Sequence, residues 1–185
     1  MMEQQAQKIE RRQCDVLVIG GGPAGSTVAP MLADKGHRVV MLEKAHHPRF
    51  HIGESLLPAN LPLFERMGIA EEVKAIGMLK PGAEFVSPNH DMSSVFCFAE
   101  AWDKSMPYAY QVRRDQFDTV LIRNAAKKGV EVHEGCKAKS VEFLPDNTVL
   151  VRAVHDDGSE SEWHARFLVD ASGRDTFLAN RFQIK

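Results

Sequence analysis

The sequence is poor in cysteine and has no excess of either charge. Cys14, Cys97 and Cys136 are its only cysteines, widely spaced and without a C-x-x-C pair, so a disulfide-stapled secreted fold is not expected. Lysine and arginine number 23 against 25 acids, a net charge of -2, which gives no electrostatic reason for a nucleic-acid or anionic-membrane partner. Long apolar runs are also missing. Val16–Ile19 and Val39–Leu42 fall far short of the roughly 20 residues that cross a bilayer. Met1–Gln13 is polar and charged, without the apolar stretch of a secretory signal. A reducing, cytoplasmic setting is the expectation. What remains is ordinary globular composition, 44% hydrophobic over 185 residues, enough for one sizeable core or two small ones.

The pattern along the chain is that of an α/β protein. Asp15–Ile19 is a continuous β-branched run, expected as a parallel strand buried on both faces. Gly20-Gly21-Gly22-Pro23-Ala24-Gly25 follows, then a helix to about Lys35, with Pro23 in its first turn and Gly36 as its left-handed cap. Pro30 lies inside that helix, where it removes a donor and should kink it. Arg38–Leu42, ending at Glu43, completes a β-α-β unit. After a loop at Lys44–Ser55, Pro58–Met67 and Ala70–Ile76 are expected helices. Ala83–Val86, Val95–Phe98 and Tyr108–Val112 are expected strands of a second layer. Asp115 is expected to cap an amphipathic helix with Phe117, Val120, Leu121 and Ala125 on one face. Val130–Val132 would return to the parallel sheet. Ala138–Phe143, Val149–Val154 and Ser161–His164 form an expected meander, and Arg166–Val169 a further buried strand leading into Asp170.

Gly20-x-Gly22-x-x-Gly25 between a strand and a helix is a dinucleotide fingerprint in its proper context. Gly20 permits the tight turn, Gly22 lets backbone approach a pyrophosphate, and Gly25 lets helix and strand pack closely. Amides at the helix start, including those of Ala24 and Gly25, face the phosphates with the positive end of the dipole behind them. Glu43 stands twenty-three positions after Gly20, where an acid accepts the ribose hydroxyls and disfavours a 2′-phosphate. FAD and NAD share this fingerprint, and spacing does not separate them.

Four segments carry a closer likeness. Gly20–Gly25 (GGGPAG), Phe50–Pro58 (FHIGESLLP), Arg114–Leu121 (RDQFDTVL) and Asp170–Arg174 (DASGR) resemble the N-terminal half of FAD-dependent oxidoreductases. That superfamily contains aromatic hydroxylases, geranylgeranyl reductases and flavin-dependent halogenases, and Gly-Glu-Ser followed by Leu-Leu-Pro is most similar to the halogenase branch. The resemblance implies a Rossmann-like FAD-binding fold with a β-meander (about 137–164) and a second, partial antiparallel layer. Residues 14–80 and 112–185 would form the FAD-binding domain, 81–111 part of a substrate-side sheet, and 1–13 a polar tail. Gly20, Gly22, Pro23, Ala24, Gly25, Glu43 and Lys44 would hold the ADP half, Arg49 the pyrophosphate or ribityl side, and Gly53-Glu54-Ser55 the isoalloxazine edge. Arg114 would reach back toward the cofactor, with Asp170 and Gly173 closing the loop around it. Arg114 could equally be an exposed residue at a helix start, and Asp170 a turn residue.

Lys80 lies where halogenases carry a catalytic lysine. There the reduced flavin and O2 convert halide to hypohalous acid, and the lysine holds that acid, by hydrogen bond or as a haloamine, beside an aromatic carbon. The alternative is a solvated lysine before a Pro-Gly turn. The implied partners are an aromatic substrate, carrier-bound in some relatives, and NAD(P)H or a flavin reductase as electron source. A reductase of isoprenoid double bonds and a non-catalytic dinucleotide-binding fragment are the alternatives. His46, His47 and His51 lack further ligands at metal spacing, so no metal is expected. Cys97 is expected in a core or tunnel wall, and Trp102, Tyr108 and Tyr110 in ordinary packing, with the lining of an aromatic pocket as the alternative. Superfamily members run about twice this length or more. A second flavin contact of Gly-Asp-Ala type and a Trp-x-Trp-x-Ile-Pro segment, both absent here, would lie downstream of residue 185. On that reading the chain alone would not turn over substrate.

Overall fold

A computed structural model describes residues Glu10–Ile184. In chain order the elements are β1 (Glu10–Ile19), α1 (Pro23–Ala33), β2 (Val39–Leu42), α2 (Leu61–Met67), α3 (Ala70–Ile76), β3 (Met78–Lys80), β4 (Gly82–Val86) and β5 (Ser93–Cys97). There follow β6 (Ala109–Gln111), α4 (Arg114–Lys127), β7 (Glu131–His133), β8 (Cys136–Phe143), β9 (Val149–His155), β10 (Glu160–Asp170) and α5 (Phe177–Phe182). Among the described residues no helix is long and apolar enough to cross a membrane. The chain packs as two compact units, one of residues up to His47 and from Leu121 onward, the other Pro48–Val120.

The first unit is built on a six-stranded sheet of order β7-β2-β1-β10-β9-β8. Its first four strands run parallel, and β9 and β8 are antiparallel additions. Because side chains alternate along a strand, β1 and β2 feed two cores. Leu17, Ile19, Val40 and Leu42 join Val141, Val151 and Trp163 from the meander side. Val16, Val18, Val39 and Met41 join Ala29 of α1 with Ile122 and Ala125 of α4. The run therefore needs to be apolar at every position.

Three expectations change here. β1 begins at Glu10, so residues 10–13 of the expected tail are strand; residues 1–9 lie outside the described residues. The polar stretch is held by pairing rather than burial: Arg11 meets Glu162 at 3.1 Å, Arg12 meets Glu131 at 2.8 Å, and the Arg12 guanidinium lies 5.1 Å from the Trp163 ring centre. The two strands expected at Ser161–His164 and Arg166–Val169 are one continuous β10, because its Glu160–Ala165 half pairs antiparallel with β9 while its other edge pairs with β1 along both halves. The later half is not fully buried, and Phe167 is 64% exposed. Asp115 sits inside the first turn of α4 rather than capping it, since the Phe117 N–H already bonds the Arg113 carbonyl at 2.9 Å. Pro30 is accommodated within α1, buried, and nothing in the structure assigns it a function.

In the second unit, α2 and α3 are separated by Gly68 in the left-handed conformation (φ 73°). Phe64, Val73, Tyr110, Val112 and Phe117 are buried, with the Phe64 and Phe117 rings edge-on at 5.7 Å. The expected second layer is two separate pairs, β3 with β6 and β4 with β5. β3 is a strand that the sequence pattern did not reveal. The β4–β5 hairpin leaves Phe85, Val86, Val95 and Phe96 exposed.

Leu17 is fully buried, so Leu17→Ala should lower unfolding free energy by about 2–5 kcal/mol. Phe85→Ala, on the open hairpin, should change it by less than about 0.5 kcal/mol. Denaturant titration of the two variants checks both.

Candidate functional site

In the first unit, three parallel strand ends meet where α/β folds place ligands. The Gly20 N–H bonds the Leu42 carbonyl at 2.8 Å, and the Ala171 N–H bonds that of Ile19 at 2.9 Å. Gly20 turns the chain with φ 105°, and a Cβ there would lie 2.8 Å from the Ala171 carbonyl carbon. A Cβ on Gly25 would overlap the Gly20 carbonyl oxygen, so the first turn of α1 rests directly on the end of β1. Gly22 is the N-cap residue, with no side-chain cap, and Pro23 opens the helix with no acid in its first turn. The Ser26 N–H reaches the Gly22 carbonyl at 2.9 Å. The amides of Ala24 and Gly25, ahead of it, are orphan helix donors of the kind that bind anions.

Glu43, at the end of β2, is 4% exposed. Its two oxygens accept the Gly21 N–H at 2.5 Å and the Ala45 N–H at 2.8 Å. A carboxylate offers about four acceptor sites, so two remain for hydroxyls. Lys44 pairs with Asp175, both exposed. Asp170 accepts N–H bonds from Ser172 at 3.0 Å and Leu178 at 2.7 Å, which makes it a turn and cap residue. Burial alone would raise its pKa, but these donors outweigh burial and hold the carboxyl below the usual range. Gly173 follows in the left-handed conformation (φ 64°).

In the second unit the structure gathers Arg49, Gly53, Glu54, Ser55, Lys80 and Arg114. Arg114 is not an exposed helix-start residue: it is 9% exposed and grips the fully buried Asp118 through Nε at 2.7 Å and Nη2 at 2.9 Å. Its Nη1 donates to the Ile52 carbonyl at 2.8 Å. Gly53 (φ 102°) passes so close that a Cβ would lie 3.2 Å from the same nitrogen. Arg49 lies 3.6 Å from Asp118, and its buried Nε has no hydrogen-bond partner among the described residues. A pocket of about 300 Å³ is lined by Arg49, His51, Glu54 and Arg114 among others. The Glu54–Leu56 backbone is tied to β6 and the residue that follows it by Leu56 N–H to Tyr110 O at 3.0 Å and Val112 N–H to Glu54 O at 2.9 Å. Lys80, the last residue of β3, donates to Ser55 Oγ at 2.6 Å and to the Leu56 carbonyl at 2.7 Å.

A family model described as an FAD binding domain matches residues 13–185. The chain belongs to the FAD-binding domain family. A flavin-dependent halogenase of Armillaria mellea is 40% identical over 91% of this chain and 34% of its own length. A 1H-pyrrole-2-carbonyl-(peptidyl-carrier protein) chlorinase of Pseudomonas fluorescens is 34% identical over 92% of this chain and 42% of its own length. The solved myxobacterial chondrochloren halogenase CndH superposes with a TM-score of 0.83 at 42% identity, over 90% of this chain and 38% of that one. The chain thus spans between about a third and two-fifths of the length of these three relatives.

FAD is the cofactor of this family, and the FAD-binding domain's own residues fit it. Gly20 and Gly25 leave no room for a side chain, so the turn lies tight against the strand ends, orphan donors stand at the start of α1, and Glu43 uses two of its about four acceptor sites on backbone N–H groups. The three loop histidines are each engaged elsewhere: His46 with Asp156 at 2.7 Å, His47 with Glu134 at 2.8 Å, and His51 with the Ile52 carbonyl at 2.8 Å. Among the described residues no group of three or more His, Cys, Asp or Glu could hold a metal ion. Burial pushes the Cys14 thiol up to about 12 and that of Cys136 to about 11, so neither is a ready nucleophile. Cys97 is exposed, not in a core, and Trp102 is fully exposed rather than packed, whereas Tyr110 is buried edge-on to Tyr108. Both misplaced residues fall in or beside the open β4–β5 hairpin.

Asp118 is the residue that sequence reasoning missed. The signal was present, because Arg114 and Asp118 stand four apart on a helix, inside the RDQFDTVL segment. Asp118→Ala would leave two guanidinium groups facing each other without a counter-charge. Loss of a buried partner of this kind costs about 3–5 kcal/mol. Thermal unfolding of this variant beside Asp115→Ala, whose carboxylate is on the surface, should show a large loss only for Asp118.

Proposed function

We propose that the protein is a flavin-dependent halogenase, or a closely related monooxygenase, acting on an aromatic substrate. The observation that carries this reading is the Lys80 side chain, bonded to Ser55 and Leu56 of the Gly-Glu-Ser-Leu-Leu-Pro segment. The chain's halogenase relatives and the FAD-binding fold support the same conclusion.

Reduced FAD with O2 supplies the oxidising equivalents that convert halide to hypohalous acid. This chain's residues do the rest. The orphan amides of α1 and the Glu43 carboxylate hold the dinucleotide. Arg114, anchored on Asp118, fixes the Ile52–Gly53 backbone, and Arg49 offers a second positive charge. Lys80 has three N–H donors, two of them used on Ser55 and Leu56. The third can hold the oxygen of hypohalous acid, or the amine can take the halogen with release of water, before transfer to the aromatic carbon. Residues 14–80 with 112–185 would carry cofactor binding, and 81–111 would form part of the substrate side. The chlorinase relative's name specifies a carrier-bound pyrrole, which favours a carrier-bound aromatic among substrates. NAD(P)H, directly or through a flavin reductase, is the proposed electron source. Three unpaired thiols, those of Cys14 and Cys136 buried and that of Cys97 exposed, suit a reducing cytoplasm.

Lys80→Met in the intact protein, supplied with FAD, a reductase and halide, should form halogenated product at least about 100-fold more slowly, with FAD still bound. Unchanged halogenation would contradict the lysine's role. Anaerobic turnover of an isoprenoid double bond would replace the reading with a reductase.

A further inference from the structure

We propose that Ser55 is the positioning residue for Lys80, a role that rests on the reading of Lys80 given above. The sheet register shows why the two side chains meet. Lys80 is directly opposite Ala109 in the β3–β6 pair, and Ser55 is bridged to Gln111 from the same strand. Directly opposed residues share a face of a sheet, and so do residues two apart on one strand. Lys80, Ala109, Gln111 and Ser55 therefore project to one side. Ala109 lies between the two sites with only a methyl group, and the Lys80 stem can cross it.

The ammonium arrives at a site with three boundaries. Ser55 Oγ accepts one N–H at 2.6 Å and the Leu56 carbonyl another at 2.7 Å. The Phe98 ring centre is 5.5 Å away on a further side, within cation–π range. Phe98 is held there by its own N–H, which bonds the Pro81 carbonyl at 2.9 Å, one residue beyond Lys80. The backbone carbonyl fixes where the nitrogen can stand. The serine is the only side-chain acceptor among the described hydrogen bonds of Lys80, so it decides which way the remaining N–H points. Because the hydroxyl accepts from Lys80, its own proton is free to donate to the same oxygen atom that the lysine holds.

The test combines two readouts. In FAD-free protein, acetylation of Lys80 by acetic anhydride, followed by peptide mass spectrometry, should be several-fold faster in Ser55→Ala and return to the wild-type rate in Ser55→Thr. In the intact holoenzyme, Ser55→Ala should slow halogenation about 10- to 100-fold at equal FAD occupancy, and Ser55→Thr should restore most of it. Adding Ser55→Ala to Lys80→Met should have no further effect, because the two act as one unit. The proposal is overturned if Lys80 acetylates equally fast with and without the hydroxyl, if the two losses multiply, or if the Ser55→Ala loss merely tracks lost FAD. If Lys80→Met itself halogenates normally, the role of Lys80 falls, and the positioning role of Ser55 falls with it. A deficit in Lys80→Met with none in Ser55→Ala overturns the serine's role alone.

Discussion

One close approach governs the nucleotide end of the molecule. The carbonyl oxygen of Gly20 occupies the space that a side chain on residue 25 would need. Everything nearby follows from having no Cβ there: α1 starts against the end of β1, its first amides are left without intrahelical partners, and Glu43 can reach the Gly21 N–H across the turn. The six-stranded sheet holds this turn rigid. β1 is paired on both edges and feeds an apolar core on each face.

A second, independent constraint organises the unit Pro48–Val120. Asp118 is fully buried and serves two guanidinium groups. Desolvating a carboxylate is costly unless it is paired and hydrogen-bonded, and Arg114 meets that cost with a two-pronged contact. The same arginine then grips the Ile52 and Gly53 carbonyls, so a buried ion pair sets the path of an exposed loop. From Gly53 the order passes to Ser55 and Lys80 through bonds to β6. The lysine is thus placed by a chain of contacts that begins in the core, which is how a flexible four-carbon side chain comes to have a defined location.

Much of this was legible in the sequence, and the reason is local. The strand–glycine–helix–strand–acid series of 15–43 is written in contiguous residues, each with a steric or electrostatic requirement of its own. The amphipathic face of α4 is likewise periodic. What was not legible depends on distant partners. β1 reaches back to Glu10 because Arg11 and Arg12 find Glu162 and Glu131, more than a hundred residues away. β10 is one strand because β1 pairs with it along both halves, while β9 covers the other edge of the first half alone. β3 is three residues long and owes its existence to β6. Asp118 is spaced for Arg114, four residues before it, but the second guanidinium beside it, that of Arg49, comes from a distant loop. The Lys44 pairing with Asp175 and the Asp170 bonds to Ser172 and Leu178 also depend on how the chain folds back on itself.

Cofactor binding depends on the tight Gly20–Gly25 turn presenting its amides to a flavin dinucleotide. Equilibrium titration of FAD into the intact apoprotein, followed by flavin fluorescence, tests it most directly when wild type is set beside Gly20→Ala. The wild type should take up one FAD and quench its fluorescence, while the variant, whose added methyl meets the Ala171 carbonyl, should remain folded by circular dichroism and bind at least about tenfold more weakly. Equal binding by both, or no uptake by the wild type, would contradict it.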